Sequence, residues 1–110
     1  MTPAEIVQAQ LEAYNAQDLE AFCALYADDC VIGDLNGAVT QQGIAAVRAR
    51  YARTFAQYPK NRAWVVKRIA VGDVVIDHEQ GERAPGGETF EAAVIYTVRD
   101  GRIVRADFAR

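Results

Sequence analysis

Tyr14-Asn-Ala-Gln-Asp-Leu-Glu-Ala-Phe-Cys-Ala-Leu-Tyr-Ala-Asp-Asp-Cys-Val-Ile-Gly-Asp-Leu35 is the stretch whose reading decides the fold. It contains the end of one helix, a corner at Asn15-Ala16-Gln17, a second short helix and then a strand. Asp18 can cap the second helix, and Glu20 falls in its first turn, where a carboxylate meets the positive end of the helix dipole. Phe22, Leu25 and Tyr26 form an apolar stripe, read as core, and Asp28-Asp29 closes the helix. From Cys30 to Leu35 the period changes to two. Cys30, Ile32 and Asp34 share one face, and Val31, Gly33 and Leu35 share the other. Asp34 is thus a carboxylate among apolar neighbours. It is either a solvated strand end or the working group of a pocket.

Upstream, Thr2-Pro3-Ala4-Glu5 places a capping threonine, a proline at the first helical position and a glutamate at the third. Ile6, Val7, Gln10, Leu11 and Tyr14 then recur at helical spacing, so Gln10 and Tyr14 project from one face a turn apart. Downstream, Asn36-Gly37 is a hairpin dipeptide, and a short strand from Ala38 to Gln41 follows it. A third helix carries Ile44, Val47, Tyr51, Phe55 and Tyr58 on one face and stops at Pro59. Four strands remain: Asn61 to Val71, Val74 to Glu82, Thr89 to Arg99 and Arg102 to Ala109. They are punctuated by Gly72-Asp73, the loop Arg83 to Glu88 and Asp100-Gly101. Alternation in the first of them puts Trp64, Val66, Arg68 and Ala70 on one face. Helices first and strands last predict a single α+β domain over residues 1–110, with a curved antiparallel sheet wrapped around three N-terminal helices. A sheet that curls around helices without filling the space between them leaves an apolar pocket open at one end.

The 110 residues carry a formal net charge of -3. That balance offers no footprint for nucleic acid or for an anionic membrane surface. Glu5 and Glu12 interrupt any N-terminal apolar run, and Ala92 to Tyr96 is far too short to span a bilayer. Cys23 and Cys30 are the only cysteines and His78 the only histidine. No metal-ligand spacing exists, no glycine-rich phosphate loop is present, and neither a metal nor a cofactor is expected. Two reduced, buried thiols suit a reducing compartment, so the protein is expected in the cytoplasm. The chain has no serine, which leaves a Ser-His-Asp triad without its nucleophile.

Several strings carry a resemblance. Tyr14-Asn15-Ala16-Gln17-Asp18-Leu19-Glu20, Leu25-Tyr26-Ala27-Asp28-Asp29-Cys30, Gly43-Ile44-Ala45-Ala46-Val47 and the closing Ala93-Val94-Ile95-Tyr96-Thr97-Val98-Arg99-Asp100-Gly101-Arg102-Ile103-Val104 are similar to the SnoaL-like and ketosteroid isomerase-like group of the nuclear-transport-factor-2-like superfamily. The resemblance implies a cone-shaped, cystatin-like α+β barrel enclosing a pocket. It places the isomerase's catalytic base on Asp34, its oxyanion-hole tyrosine on Gln10 and its protonated oxyanion-hole aspartate on Val94. Both family donors are therefore replaced. Tyr14, a turn beyond Gln10, and Tyr96, two residues after Val94, are possible substitutes, and Gln10 itself has an amide donor. A fold of this kind hosts many activities, so it does not by itself name one.

The residues expected to line the pocket are Gln10, Tyr14, Ile32, Asp34, Tyr51, Phe55, Trp64, Val94, Tyr96 and Phe108, each aromatic also having a plain core reading. His78 falls on the face shared with Val74 and Ile76, opposite Asp77 and Glu79. That face is apolar, so His78 is a candidate inward acid or base acting with Asp34. The expected function is proton abstraction by Asp34 from a small apolar carbonyl compound, as in an isomerase or a polyketide cyclase or dehydratase, with Tyr14 and His78 as partners. The alternative is a small-molecule-binding domain without turnover. Val65, Ile69, Ile95 and Ile103 form an apolar outer set that a monomer would rarely expose, so a homodimer is expected.

Overall fold

The computed structural model describes residues Met1–Arg110. Three helices come from the first half: α1 (Pro3–Ala16), α2 (Leu19–Ala24) and α3 (Ile44–Gln57). Six strands, β1 (Tyr26–Asp34), β2 (Val39–Gln42), β3 (Arg62–Val71), β4 (Val74–Glu82), β5 (Thr89–Arg99) and β6 (Arg102–Ala109), form one sheet in the order β2-β1-β6-β5-β4-β3. The sheet curves around the helices and stays open, with β2 and β3 as its edges. The fold is α+β, as the element order predicts.

Local chemistry sets the helix ends. Thr2 accepts from the Glu5 amide and Glu5 accepts from the Thr2 amide, a reciprocal cap that satisfies two otherwise orphaned donors. Gln17 stops α1 in the left-handed region at φ 56°. Asp18 Oδ1 then accepts from the Ala21 amide and starts α2. Asp100 and Gly101 both have positive φ, 51° and 77°, which is the two-residue turn that β5 and β6 need.

The first correction concerns α2, which ends at Ala24 instead of running to Asp28-Asp29. The strand β1 accordingly begins at Tyr26. The Ile103 amide donates to Leu25 O at 2.8 Å, so β6 captures the chain as soon as the short helix ends. This pairing is parallel. The sheet is therefore antiparallel except where β1 joins β6.

Two bulges overturn face assignments made by simple alternation. In β3, Val65 pairs with Glu79 but Lys67 pairs with His78, so Val66 is an extra residue. Ala63 and Val65 face the helices with Gly81 and Glu79, while Trp64 turns outward beside Gln80. Past the bulge the parity flips, and Arg68 turns inward against Asp77. In β6, Thr97 pairs with Arg105 but Val98 pairs with Ile103, so Val104 is extra and Ile103 points into the core, fully buried. Of the four residues expected on the outer face, only Ile69 and Ile95 lie there. His78 is also outside, because Val75, Asp77, Glu79 and Gly81 form the inner face of β4.

The core gathers Ile6, Val7, Phe22, Ile32, Val47, Val75, Val94 and Ile103 between helices and sheet. An aromatic cluster links α1, α2 and α3. Phe22 sits 4.4 Å from the Tyr51 ring and 5.1 Å from the Tyr26 ring, and Tyr14 meets Phe55 edge-on at 5.7 Å. Burial of an aromatic side chain of this size contributes about 1.5–3 kcal/mol. Both cysteines are free and buried. No helix is long and apolar enough to cross a membrane.

Candidate functional site

A cavity of about 140 Å³ opens between the helices and the concave face of the sheet. α1 contributes Gln10, Leu11 and Tyr14, and α3 contributes Arg50, Tyr51 and Thr54. Glu79 comes from β4, Arg83 from the loop after it, Phe90, Glu91, Ala92 and Tyr96 from β5, and Phe108 and Arg110 from the end of the chain. Seven of the 14 lining residues are hydrophobic, so half of the wall is polar or charged. Gly81 lets Phe90 take its place there. A Cβ at Gly81 would lie 2.1 Å from Phe90 Cζ and 2.6 Å from Arg62 O, so only a bare backbone admits the ring.

The chemistry of the cavity centres on Glu79. Its partners across the sheet are Val65 and Ala92, which turn its side chain toward α1 and α3. Burial pushes its pKa up from 4.5 to about 7. The neighbouring Asp77 adds to the rise, while the Tyr96 hydrogen bond and the Arg68 charge oppose it. Tyr96 Oη donates to Glu79 Oε2 at 2.8 Å, which leaves Oε1 without a protein partner. Behind it lies a bidentate ion pair: Arg68 Nε and Nη2 donate to the two Asp77 oxygens at 2.7 and 3.0 Å, and Arg68 Nη1 donates to Gln8 at 2.9 Å. Asp77 is 1% exposed.

A second polar chain holds Tyr14. Arg83 Nη1 donates to Asn61 Oδ1 at 3.2 Å, and Asn61 Nδ2 donates to Tyr14 Oη. The hydroxyl therefore accepts from the protein, and its own proton has no protein acceptor. Burial raises the Tyr14 pKa, and the Asn61 hydrogen bond and the Arg83 charge temper the rise. Arg83 is stacked between the rings of Phe90 at 4.3 Å and Tyr58 at 4.8 Å. Gln10 and Tyr51 also line the cavity. Burial raises the Tyr51 pKa.

Of the residues expected at the site, the cavity brings together Gln10, Tyr14, Tyr51, Tyr96 and Phe108. Ile32, Phe55 and Val94 are buried in the core and do not line it. Trp64 is on the outer face. His78 is outside as well, with its Nε2 2.6 Å from Glu91 Oε2. Asp34 lies outside the cavity, in a shallow recess that shares Phe108 and Arg110 with it. Its side chain is 51% exposed and sits 3.3 Å from Arg110 Nη1. The strand-end reading of Asp34 is the one its geometry matches. Glu79, Asn61, Arg68 and Arg83 were not among the expected site residues. β4 taken alone hides Glu79, because its outer face, Val74 and Ile76, is as apolar as its inner one. The legible signal is on β5, where Ala92, Val94, Tyr96 and Val98 mark the inner face that Asp77 and Glu79 must share. Nothing periodic marks Asn61 or Arg83.

The sequence pattern of the SnoaL-like domain matches residues 7–106. The chain belongs to the SnoaL-like domain family. Among solved structures, this SnoaL-like domain is similar to an uncharacterised cystatin-fold protein from Novosphingobium aromaticivorans. The two are 28% identical with a TM-score of 0.92, over 100% of this chain and 99% of the other. A hypothetical protein with a ketosteroid isomerase-like fold from Catenulispora acidiphila, solved in complex with trimethylamine, is 25% identical. Its TM-score is 0.76, over 100% of this chain and 87% of that one. A proposed polyketide cyclase from Sinorhizobium meliloti shares the fold at 24% identity and a TM-score of 0.80, over 96% and 94% of the two chains. The SnoaL-like domain thus has the cystatin-like architecture of the ketosteroid isomerase-like and nuclear-transport-factor-2-like group.

Proposed function

We propose that the cavity abstracts a proton alpha to the carbonyl of a small molecule, with Glu79 as general base and Tyr14 as donor to the developing oxyanion. The observation that carries this reading is a cavity carboxylate with one free oxygen, facing a tyrosine whose hydroxyl proton has no protein acceptor. A base works best when its pKa lies near the working pH, and burial brings Glu79 to about 7. The enolate must be met by donors already in place. Tyr14 is held for that role by Asn61 and Arg83. Isomerisation, aldol-type cyclisation and dehydration all share this elementary step. The resemblance assigns the base to Asp34, but that carboxylate is half-exposed, lies outside the cavity and is engaged by Arg110.

The test is solvent exchange at the alpha carbons of cyclopentanone in D2O, followed by proton NMR. Glu79→Gln is expected to abolish the protein-catalysed exchange, Tyr14→Phe to slow it about 100-fold, and Asp34→Asn to leave it in place. Loss of exchange in Asp34→Asn with activity retained in Glu79→Gln would return the base to Asp34.

A second reading, binding without turnover, is favoured by the replacement of both family donors by Gln10 and Val94. In it, Glu79 and the rings of Tyr14, Tyr51 and Tyr96 anchor a small ammonium ion, like the trimethylamine found with the Catenulispora protein. Saturable binding of trimethylamine with no exchange of any ketone supports it.

A further inference from the structure

We propose that the substrate of this cavity is a short oxo acid, its carboxylate received by the arginines that border the cavity and its carbonyl presented to Tyr14. This rests on the proton-transfer reading above and adds to it the charge and size of the molecule transformed.

The charge argument starts from Arg50, Arg83 and Arg110, which all line one cavity in a chain of formal net charge -3. Neither Arg50 nor Arg83 has a carboxylate partner. Arg50 Nη1 donates to the amide oxygen of Gln41 at 2.8 Å, and Arg83 Nη1 to that of Asn61 at 3.2 Å. Arg110 meets Asp34 at 3.3 Å, with both side chains more than half exposed, a pairing that water and salt weaken. The acids that line the cavity do not neutralise the three. Glu91 is engaged by His78 and Gln80 on the outer side, and Glu79 is the base itself.

The guanidinium groups are also pre-oriented. Arg50 and Arg110 both stack on the Phe108 ring, with Cζ at 5.3 and 4.8 Å from its centroid, and Arg83 stacks on Phe90 and Tyr58. Stacking occupies the faces of a guanidinium and leaves its N–H edge for an acceptor. At Arg83 the protein supplies one only in part: Nη1 donates to Asn61, and Nε is buried without a hydrogen-bond partner. A buried donor of a charged group left unpaired is costly. Nη2 has no protein partner and is not buried, and a ligand carboxylate gives it an acceptor in the planar geometry that an arginine edge matches.

The size argument is independent. A cavity of about 140 Å³ is close to one that takes up a single benzene molecule, which corresponds to a ligand of about six to eight non-hydrogen atoms. An oxo acid of four or five carbons has that size. A fused-ring steroid or polyketide would extend out of its mouth, and a small amine would be opposed by the three arginines.

The chemistry closes without a co-reactant. Glu79 takes a proton from the carbon beside the carbonyl, and the C–H electron pair becomes the enolate. The Tyr14 hydroxyl donates to the enolate oxygen. Protonated Glu79 then returns the proton to the same carbon or, where a conjugated double bond is present, to its far end, so that the double bond migrates. Nothing is oxidised or reduced.

The experiment compares 2-oxobutyrate with its neutral analogue 2-oxobutyramide, by deuterium exchange at C3 and by ligand-observed NMR titration. Exchange relative to each compound's uncatalysed rate is expected to be about tenfold or more greater for the acid. That preference is expected to fall toward one in Arg83→Gln and in Arg50→Gln, the second variant standing in if the first does not fold. Equal acceleration of acid and amide overturns the carboxylate assignment and leaves the proton-transfer reading intact. Exchange of neither compound overturns the proton-transfer reading. The titration then decides the rest: tighter binding of 2-oxobutyrate than of the amide supports carboxylate recognition, and equal binding, or tighter binding of trimethylammonium, overturns it.

Discussion

Replacing Glu79 by glutamine is expected to make the protein less sensitive to pH between about 5 and 8. In the folded protein the Glu79 pKa is raised from 4.5 to about 7, first by burial. In the unfolded chain it returns to an ordinary value. Between the two the folded state binds more protons than the unfolded one, so stability falls as pH rises through this window. A rise of this size corresponds to about 3 kcal/mol of stability, present below about pH 4 and lost by about pH 8. A glutamine side chain cannot ionise, so the Glu79→Gln variant should lack that part of the decline while keeping every contribution that does not involve this position. The assay is urea denaturation of both proteins at pH 5 and pH 8, followed by circular dichroism. The difference between the two declines isolates the one side chain. Near pH 5 Glu79 is the neutral acid in the folded protein, so the variant, which offers Tyr96 Oη an amide oxygen in place of a neutral carboxyl oxygen, should be about as stable as the wild type. At pH 8 it should be the more stable of the two. Parallel declines would refute the reasoning, because they would mean that Glu79 is solvated and not the tuned base of the cavity.

Three further outcomes follow from the packing. Arg68→Met leaves the Asp77 carboxylate buried and unpaired at 1% exposure, which should cost about 3 kcal/mol in denaturant titration. The double variant Arg68→Met/Asp77→Leu should recover most of that loss. Gly81→Ala forces Phe90 off the backbone it now covers and should cost about 1–3 kcal/mol, with weakened binding of any cavity ligand as the second readout. A homodimer is expected through the outer face of β3, where Ile69 is 58% and Val71 71% exposed beside Trp64 and Val66. Light scattering at micromolar concentration should give twice the single-chain mass, and Ile69→Lys should halve it. A wild type that runs as a single chain would remove the expectation.

The parts of the fold legible in the sequence were those written in local chemistry. Thr2 and Glu5 announce the start of α1, Asp18 the start of α2, Pro59 follows the end of α3, and Asp100-Gly101 marks the last hairpin. Part of the cavity, five of its 14 lining residues, was legible too: Gln10, Tyr14 and Tyr51 sit on regular helices whose period is unbroken, and Tyr96 and Phe108 lie on strand faces that alternation places correctly. What failed was carried by strands. Alternation assumes that parity persists along a strand, and one inserted residue reverses it. Val104 does so in β6 and turns Ile103 inward. Asp34 shares a face with buried Ile32, but at the last position of β1 it is half-exposed, which alternation alone does not distinguish from a pocket position.

The bulge at Val66 has consequences for the chemistry as well as the register. Were the strand to alternate regularly past Val65, Arg68 would share the outward parity of Trp64, and Lys67 would stand opposite Asp77 in its place. With the bulge, Arg68 closes on Asp77 in a bidentate pair beside Glu79. The two members of that pair act on Glu79 in opposite senses: Asp77 raises its pKa and Arg68 lowers it. An unpaired Asp77 would hold Glu79 protonated further above neutrality and leave it a weaker supply of base. One extra residue on an edge strand, contributing no atom to the cavity, thereby sets a guanidinium that pairs with Asp77 through two nitrogens next to its carboxylate. Replacing Arg68 by methionine, which takes the cation away and leaves the bulge, is the sharpest trial of that dependence. Exchange activity, if Glu79 is the base, should then shift its rise to higher pH, and an unchanged pH profile would mean that the Arg68–Asp77 pair has no hold on the site.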